Sequence, residues 1–243
     1  MRTLAFVSLI ALASCGSKKE PAKTTDTGSG SAGSGSAVAK PADGSSANVP
    51  MGKNLTLPKG DGTKPKQSAK ALDKADFEKL AKHEFPGFQA VVRSKDKQLD
   101  VRHSTDARPI LATTVTIAPC FDCLPMELDK WKAKEAGLKM LLPDELRDRP
   151  DTTWELGATE LHGQPLVFTY QFGFTSGKDD QGNPESAFSN AYALYFSDGK
   201  NQIRVVAEYK DDPVTREDLK SIAPREDLEK LAKGFLDFYT HAW

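Results

Sequence analysis

The chain lacks any apolar run of the roughly 18 residues that a membrane-crossing helix needs. Its longest, Leu4 to Ala13, has ten residues. It holds three cysteines in 243 residues, too few for a disulfide-dense scaffold. Neither sign of charge is in excess: 33 Lys and Arg stand against 34 Asp and Glu, a net charge of -1. A strongly basic nucleic-acid binder is thereby excluded, and no nucleic-acid partner is expected. Aromatic residues make up only 8%, and none falls between Gly16 and Asp76, so that stretch cannot bury enough apolar surface to fold by itself. The G-x-S-x-G, H-E-x-x-H, P-loop and G-x-G-x-x-G patterns are missing in any proper structural context. No cofactor and no metal are expected.

What is present begins with an address. Arg2 supplies a positive charge ahead of the apolar run Leu4 to Ala13, which has the length of a signal-peptide h-region rather than of a span. The run closes on Leu12-Ala13-Ser14-Cys15, and Gly16 opens a polar stretch. These four residues resemble the lipobox of bacterial lipoproteins, at the expected distance from Met1. The resemblance implies removal of residues 1–14, a diacylglyceryl thioether on Cys15 and acylation of its new amine. Two or three acyl chains on one residue hold far more firmly than the single chain that binds only marginally. The implied localisation is the bacterial cell envelope with the membrane as a partner. Gly16 rather than Asp after the cysteine implies the outer membrane.

Residues 15–65 then read as the lipidated cysteine and a disordered linker. Gly, Ser, Ala, Thr, Pro and Lys dominate, with the low-complexity run Gly28 to Ala37 at its centre. Seven Lys against four acids make the linker about +3. About 50 such residues span roughly 40 Å on average. From Lys66 onward the chain is about -5, and apolar periodicity runs from Phe77 to Trp243 without a long break. Residues 66–243 are enough for one globular core.

Within that domain Asp73 to His83 predicts a helix. Asp73 is placed to cap it, Asp76 sits at N3, and Leu72 and Phe77 form a staple pair. Phe88, Ala90 and Val92 alternate, as do Leu99, Val101 and His103, and Ile110 to Ile117 is rich in Thr and Val; these predict three strands. Met126 to Leu142 has apolar residues at helical spacing, and Pro143 ends it. Trp154 to Leu161, a turn at His162-Gly163, and the alternation Leu166, Phe168, Tyr170, Phe172, Phe174 predict two more strands. A polar loop over 175–186 leads to the strand Tyr192 to Phe196. Asp198-Gly199 signals a hairpin into Ile203 to Tyr209. A helix from about Pro224 closes the chain, with Leu228, Leu231, Ala232, Phe235, Leu236 and Tyr239 on one stripe. The expected class is α+β, a largely antiparallel sheet of about six to seven strands with helices packed on it.

From Asp151 to the end the features resemble the PsbP-like fold: a strand ending at Leu161-His162-Gly163-Gln164-Pro165, the long aromatic strand behind it, the Asp198-Gly199 hairpin and the amphipathic closing helix. That resemblance implies an α/β/α sandwich and mostly non-catalytic accessory or binding proteins, with no shared catalytic residues.

Cys120-Phe121-Asp122-Cys123 is the only constellation with possible chemistry, and three readings compete. A disulfide is expected in a protein that folds outside the reducing cytosol, and it would staple a strand-to-helix corner. A thiol–disulfide catalyst would use Cys120 as the attacking thiol, lowered in pKa at a helix N-terminus, and Cys123 as the resolving one. Pro165, 42 residues beyond Cys123, resembles in spacing the cis-proline of thioredoxin-like proteins. A zinc site wants four ligands, and His83, His103, His162 and His241 show no metal-type spacing. Asp179-Asp180-Gln181-Gly182-Asn183 lacks the glycine and glutamate of a calcium loop and reads as a solvated turn. The leading expectation is a lipid-anchored envelope lipoprotein that displays a non-catalytic binding or scaffold domain, its partner an envelope protein or a small ligand. The alternative is an anchored oxidoreductase using Cys120 and Cys123.

Overall fold

The computed structural model describes residues 56–106, 110–178, 181–182, 184–211 and 215–243. Cys15, the signal segment, most of the linker, and Asp179, Asp180 and Asn183 of the acidic turn lie outside them. In chain order the elements are α1 (Lys74–Leu80), β1 (Phe88–Ser94), β2 (Leu99–Thr105), β3 (Leu111–Pro119), α2 (Leu128–Lys132), α3 (Glu135–Lys139), α4 (Asp144–Arg147), β4 (Thr153–Leu161), β5 (Gln164–Lys178), β6 (Pro184–Ser197), β7 (Asn201–Tyr209), α5 (Arg216–Ile222) and α6 (Arg225–Ala242). The seven strands form one sheet in the order β1-β2-β3-β7-β6-β5-β4, with every neighbouring pair antiparallel. The class is therefore α+β as expected. Two meanders, β1–β3 and β4–β7, are joined by the pairing of β3 with β7 from Leu111↔Tyr209 to Pro119↔Asn201.

Local chemistry sets the turns and caps. The Asp73 carboxylate accepts from the Ala75 and Asp76 amides, and the Asp76 carboxylate accepts from the Asp73 amide, so the capping box is closed. Between β4 and β5, His162 and Gly163 take φ of 50° and 74°, the positive values that a two-residue type I′ hairpin requires at both positions. At the β6–β7 hairpin the Asp198 carboxylate accepts from the Lys200 and Asn201 amides. Thr215 caps α5 by accepting from the Asp218 amide. This helix is absent from the periodicity reading, although Thr215-x-x-Asp218 is the pattern of a capped helix start.

One sheet face carries the main core. Leu99 and Val101, Val115 and Ile117, Ile203 and Val205, Leu194 and Phe196, and Leu166 all point into it, where Leu228, Leu231, Phe235, Leu236 and Tyr239 of α6 and Phe77 and Leu80 of α1 cover them. His103 is fully buried in that layer. Its Nε2 shares a hydrogen bond with the Tyr239 hydroxyl at 2.9 Å. Its ring stacks on Phe235 at 4.8 Å and meets the edge of Phe85 at 5.0 Å.

The opposite face is covered only in part. Trp131 of α2 packs on Val167, Ala193 and Tyr195, with Leu124, Met126, Leu138 and Leu156 around it. Hence both faces of β5 are buried, including Thr169 and Gln171. The helix expected over 126–142 is broken into α2 and α3. Among the residues of these two short helices only Trp131 is buried, and Gly137 costs about 1 kcal/mol inside a helix, so too few apolar anchors support a continuous one. Two further expectations change. The alternation of Phe88, Ala90 and Val92 buries Phe88 alone, because β1 is an edge strand. Much of the polar stretch 175–186 is strand, since β5 and β6 pair out to Lys178↔Pro184.

The first described residues are also part of the fold. Leu57 packs against the core, the Gly60 amide donates to the Asp237 carboxylate at 2.9 Å, and His241 lies between Asp61 (2.8 Å) and Asp237 (3.3 Å). Residues 56–65, assigned to the linker from composition, thus form a strap along α6. The strap needs Gly234: a Cβ there would stand 2.6 Å from the Pro58 carbonyl oxygen.

Two outcomes follow from this packing. Burial lowers the His103 pKa from 6.5 to about 4. Between those values the unfolded chain binds a proton that the folded one does not, so stability rises with pH in this window and is lost as pH falls through it. The full loss is about 3 kcal/mol at 1.36 kcal/mol per unit, and denaturant titrations from pH 7 to pH 4 should show it for wild type and far less for His103→Phe. Gly234→Ala favours the helix by about 1 kcal/mol, but its methyl meets strap backbone, which costs about 1–3 kcal/mol. The expected result is a net loss of stability together with faster proteolysis between residues 56 and 66, and unchanged cleavage there would contradict it.

Candidate functional site

The cysteine pair lies at the end of β3. Cys120 and Cys123 are joined, with their Cα atoms 5.2 Å apart. The Cys120 amide donates to the Lys200 carbonyl at 2.8 Å, which ties the corner to the β6–β7 hairpin. Both cysteines are half-buried, while Phe121 and Asp122 between them are exposed. The pair is not at the helix N-terminus that the catalyst reading requires: α2 starts five residues after Cys123, at Leu128, and is itself only five residues long. Pro165, at the start of β5, lies three strands from the end of β3, roughly 14 Å away at ~4.8 Å per strand. The structure therefore does not bring Pro165 to the cysteines.

A second feature was not legible from motifs. On the less covered sheet face a cleft of about 280 Å³ opens over β5, β6 and β7. Side chains alternate across a sheet, and the register sets Thr169 and Gln171 on one side of Ala193 and Ala191, with Val206 and Glu208 on the other. The two alanines leave a trench between longer neighbours. Leu141 and Pro143, in the segment between α3 and α4, form one wall. Arg204 closes one end, its guanidinium 5.9 Å from the centre of the Tyr195 ring. At the other end Lys210 pairs with Glu208 at 2.9 Å. Gln171, 8% exposed, accepts from the Ser189 hydroxyl at 3.2 Å. The available signal was the polar face of β5, Thr169 and Gln171, in a strand whose other face is already apolar.

The remaining charged clusters have structural partners. Arg225 is forked onto Glu155 at 2.6 and 3.1 Å and lies over Phe168 and Tyr170. Arg216 pairs with Asp151 and lies over Phe172. These two clamps fasten the start of α6 and α5 to the β4–β5 edge. His162 approaches Asp237 at 3.4 Å in the cluster that seats the strap. His83 packs edge-on against Phe238 at 4.9 Å, and burial lowers its pKa. Among the described residues no group of three or more His, Cys, Asp or Glu is arranged to hold a metal, and no helix is long and apolar enough to cross a membrane.

No protein-family model, no curated protein and no solved structure matches this chain.

A staple that closes so short a loop contributes only about 2 kcal/mol through the unfolded state. Cys120→Ser/Cys123→Ser is expected to fold and to lose about that much in denaturant titration, and the bridge is expected to be reduced only below about -300 mV. A much higher potential, with insulin-reductase activity that disappears in Cys120→Ser, would move the protein to the oxidoreductase reading.

Proposed function

We propose that this protein is a lipid-anchored bacterial envelope lipoprotein that holds a non-catalytic binding domain off the membrane on a leash. The observation that carries the reading is Leu12-Ala13-Ser14-Cys15 at the end of a ten-residue apolar run. Two features of the chain agree with it. The Gly- and Ser-rich stretch is followed by a domain that begins by strapping itself down at residues 57–61. Its largest charged clusters are engaged in holding elements together, while an indentation with mixed polar and apolar walls stays open on the sheet. A PsbP-like affiliation belongs to the same proposal, supported by the order of the long aromatic strand, the Asp198-Gly199 hairpin and the closing helix. Fold likeness does not carry function, so binding is argued from the open sheet face alone. The outer membrane is the proposed site, on Gly16 following the cysteine.

The oxidoreductase reading keeps one supporting observation, the access to the bridge given by exposed Phe121 and Asp122. The distance of α2 and Pro165 from it counts the other way.

Metabolic labelling with an alkyne fatty acid tests the anchor. Wild type should carry the label and fractionate with membranes, and Cys15→Ala should do neither. An unlabelled, soluble wild type whose mature form starts elsewhere would remove the proposal.

A further inference from the structure

The cleft over β5–β7 has an imbalance in its charges. Three of its lining residues are charged at neutral pH: Arg204, Glu208 and Lys210. Glu208 and Lys210 neutralise each other at 2.9 Å. Arg204 has no carboxylate partner among the described residues, and its Nε is buried without a hydrogen-bond acceptor. An arginine half-withdrawn from water and left unpaired is costly unless something supplies the missing acceptor. Gln171 adds donors of the right kind. Its side-chain oxygen is taken by the Ser189 hydroxyl, so its amide N–H groups are what it has left to offer. The floor is apolar, Ala191 and Ala193, with Leu141, Pro143 and Val206 at the sides, while Thr169, Ser189 and Asn190 add uncharged polar groups to the lining. Its 280 Å³ corresponds to about nine groups of water size at ~30 Å³ each, at the small end of ligand sites.

From this juxtaposition we propose that the cleft is a binding site for a small organic carboxylate with a compact apolar body, its anion forked on Arg204 and its body lying on Ala191 and Ala193 beneath Leu141 and Pro143. Arginine matches a carboxylate because its planar fork donates two parallel bonds. The inference rests on the reading of the domain as a binding module and names the ligand class for it.

The test uses the full lipidated protein in detergent, with 4-fluorobenzoate as the probe and 19F NMR as the readout. Saturable binding is expected, with the neutral isostere 4-fluorobenzamide about tenfold or more weaker, as loss of a charge-assisted pair implies. Arg204→Gln should weaken the acid by about 10–100-fold and leave the amide unaffected. Arg204→Lys should recover part of the loss, because the charge returns without the fork. Ala193→Leu, which fills the floor and keeps Arg204, should abolish binding of both probes. Unchanged melting temperatures keep the comparison among folded proteins. No saturable binding by wild type, equal binding of acid and amide, or indifference to Arg204→Gln would overturn the site. Those failures in a protein that still carries its label on Cys15 would sink the ligand assignment alone, whereas an unlabelled wild type would sink the anchored-module reading.

Discussion

The β3–β7 pairing is the constraint on which the rest of the domain depends. It joins residues 111–119 to residues 201–209 over nine consecutive positions and makes one sheet from two meanders that would each leave an apolar face uncovered. The hairpin leading into β7 is also a junction. Asn201, fully buried, accepts from the Leu72 amide and donates to the Lys70 carbonyl. Asp198 accepts from the Ser68 amide, and the Lys200 carbonyl receives the Cys120 amide. One turn therefore secures the entry to α1, the cysteine corner and the central strands. A buried side-chain amide with its bonds satisfied specifies register in a way that apolar contact cannot.

The two sheet faces are built differently. Under α6 the side chains interlock with almost no residual exposure, and the buried imidazole of His103 is held among aromatic rings. On the other face the short helices α2 and α3 stand where one long helix was expected, and small residues on β6 leave a trench. A close-packed interior resists change, whereas a loosely covered face with open polar groups has room for a ligand. That difference in packing is why the proposed recognition is placed on the second face and not under α6.

The proposed anchor and the proposed binding cleft lie on separate parts of the chain. The proposed lipidation signal is at residues 12–15, and the strap packs on the core from residue 57. Strap residues 57–61 lie against α6, which packs on the sheet face opposite the cleft.

Local sequence signals carried much of this. Asp73 and Asp76 announced the α1 cap, His162-Gly163 and Asp198-Gly199 the hairpins, and the α6 stripe its buried face, because each depends on a few neighbouring residues. The lipobox-like run Leu12-Ala13-Ser14-Cys15 is likewise a linear pattern. What the sequence left undetermined depended on partners distant in the chain. Strap residues 57–61 look like linker until Asp237, His241 and Gly234 are placed beside them. The stretch 126–142 has helical spacing, but whether a continuous helix is stable depends on how much of it the sheet can bury. Arg204 and Gln171 are ordinary strand residues until register puts them around two alanines. Sequence by itself determined the caps, the turns and the class of fold, because those rest on short-range periodicity and backbone preference. Tertiary structure alone decided which polar residues share a cleft and left Arg204 there without a carboxylate partner among the described residues, because charge pairing and desolvation depend on distances that only the assembled sheet sets.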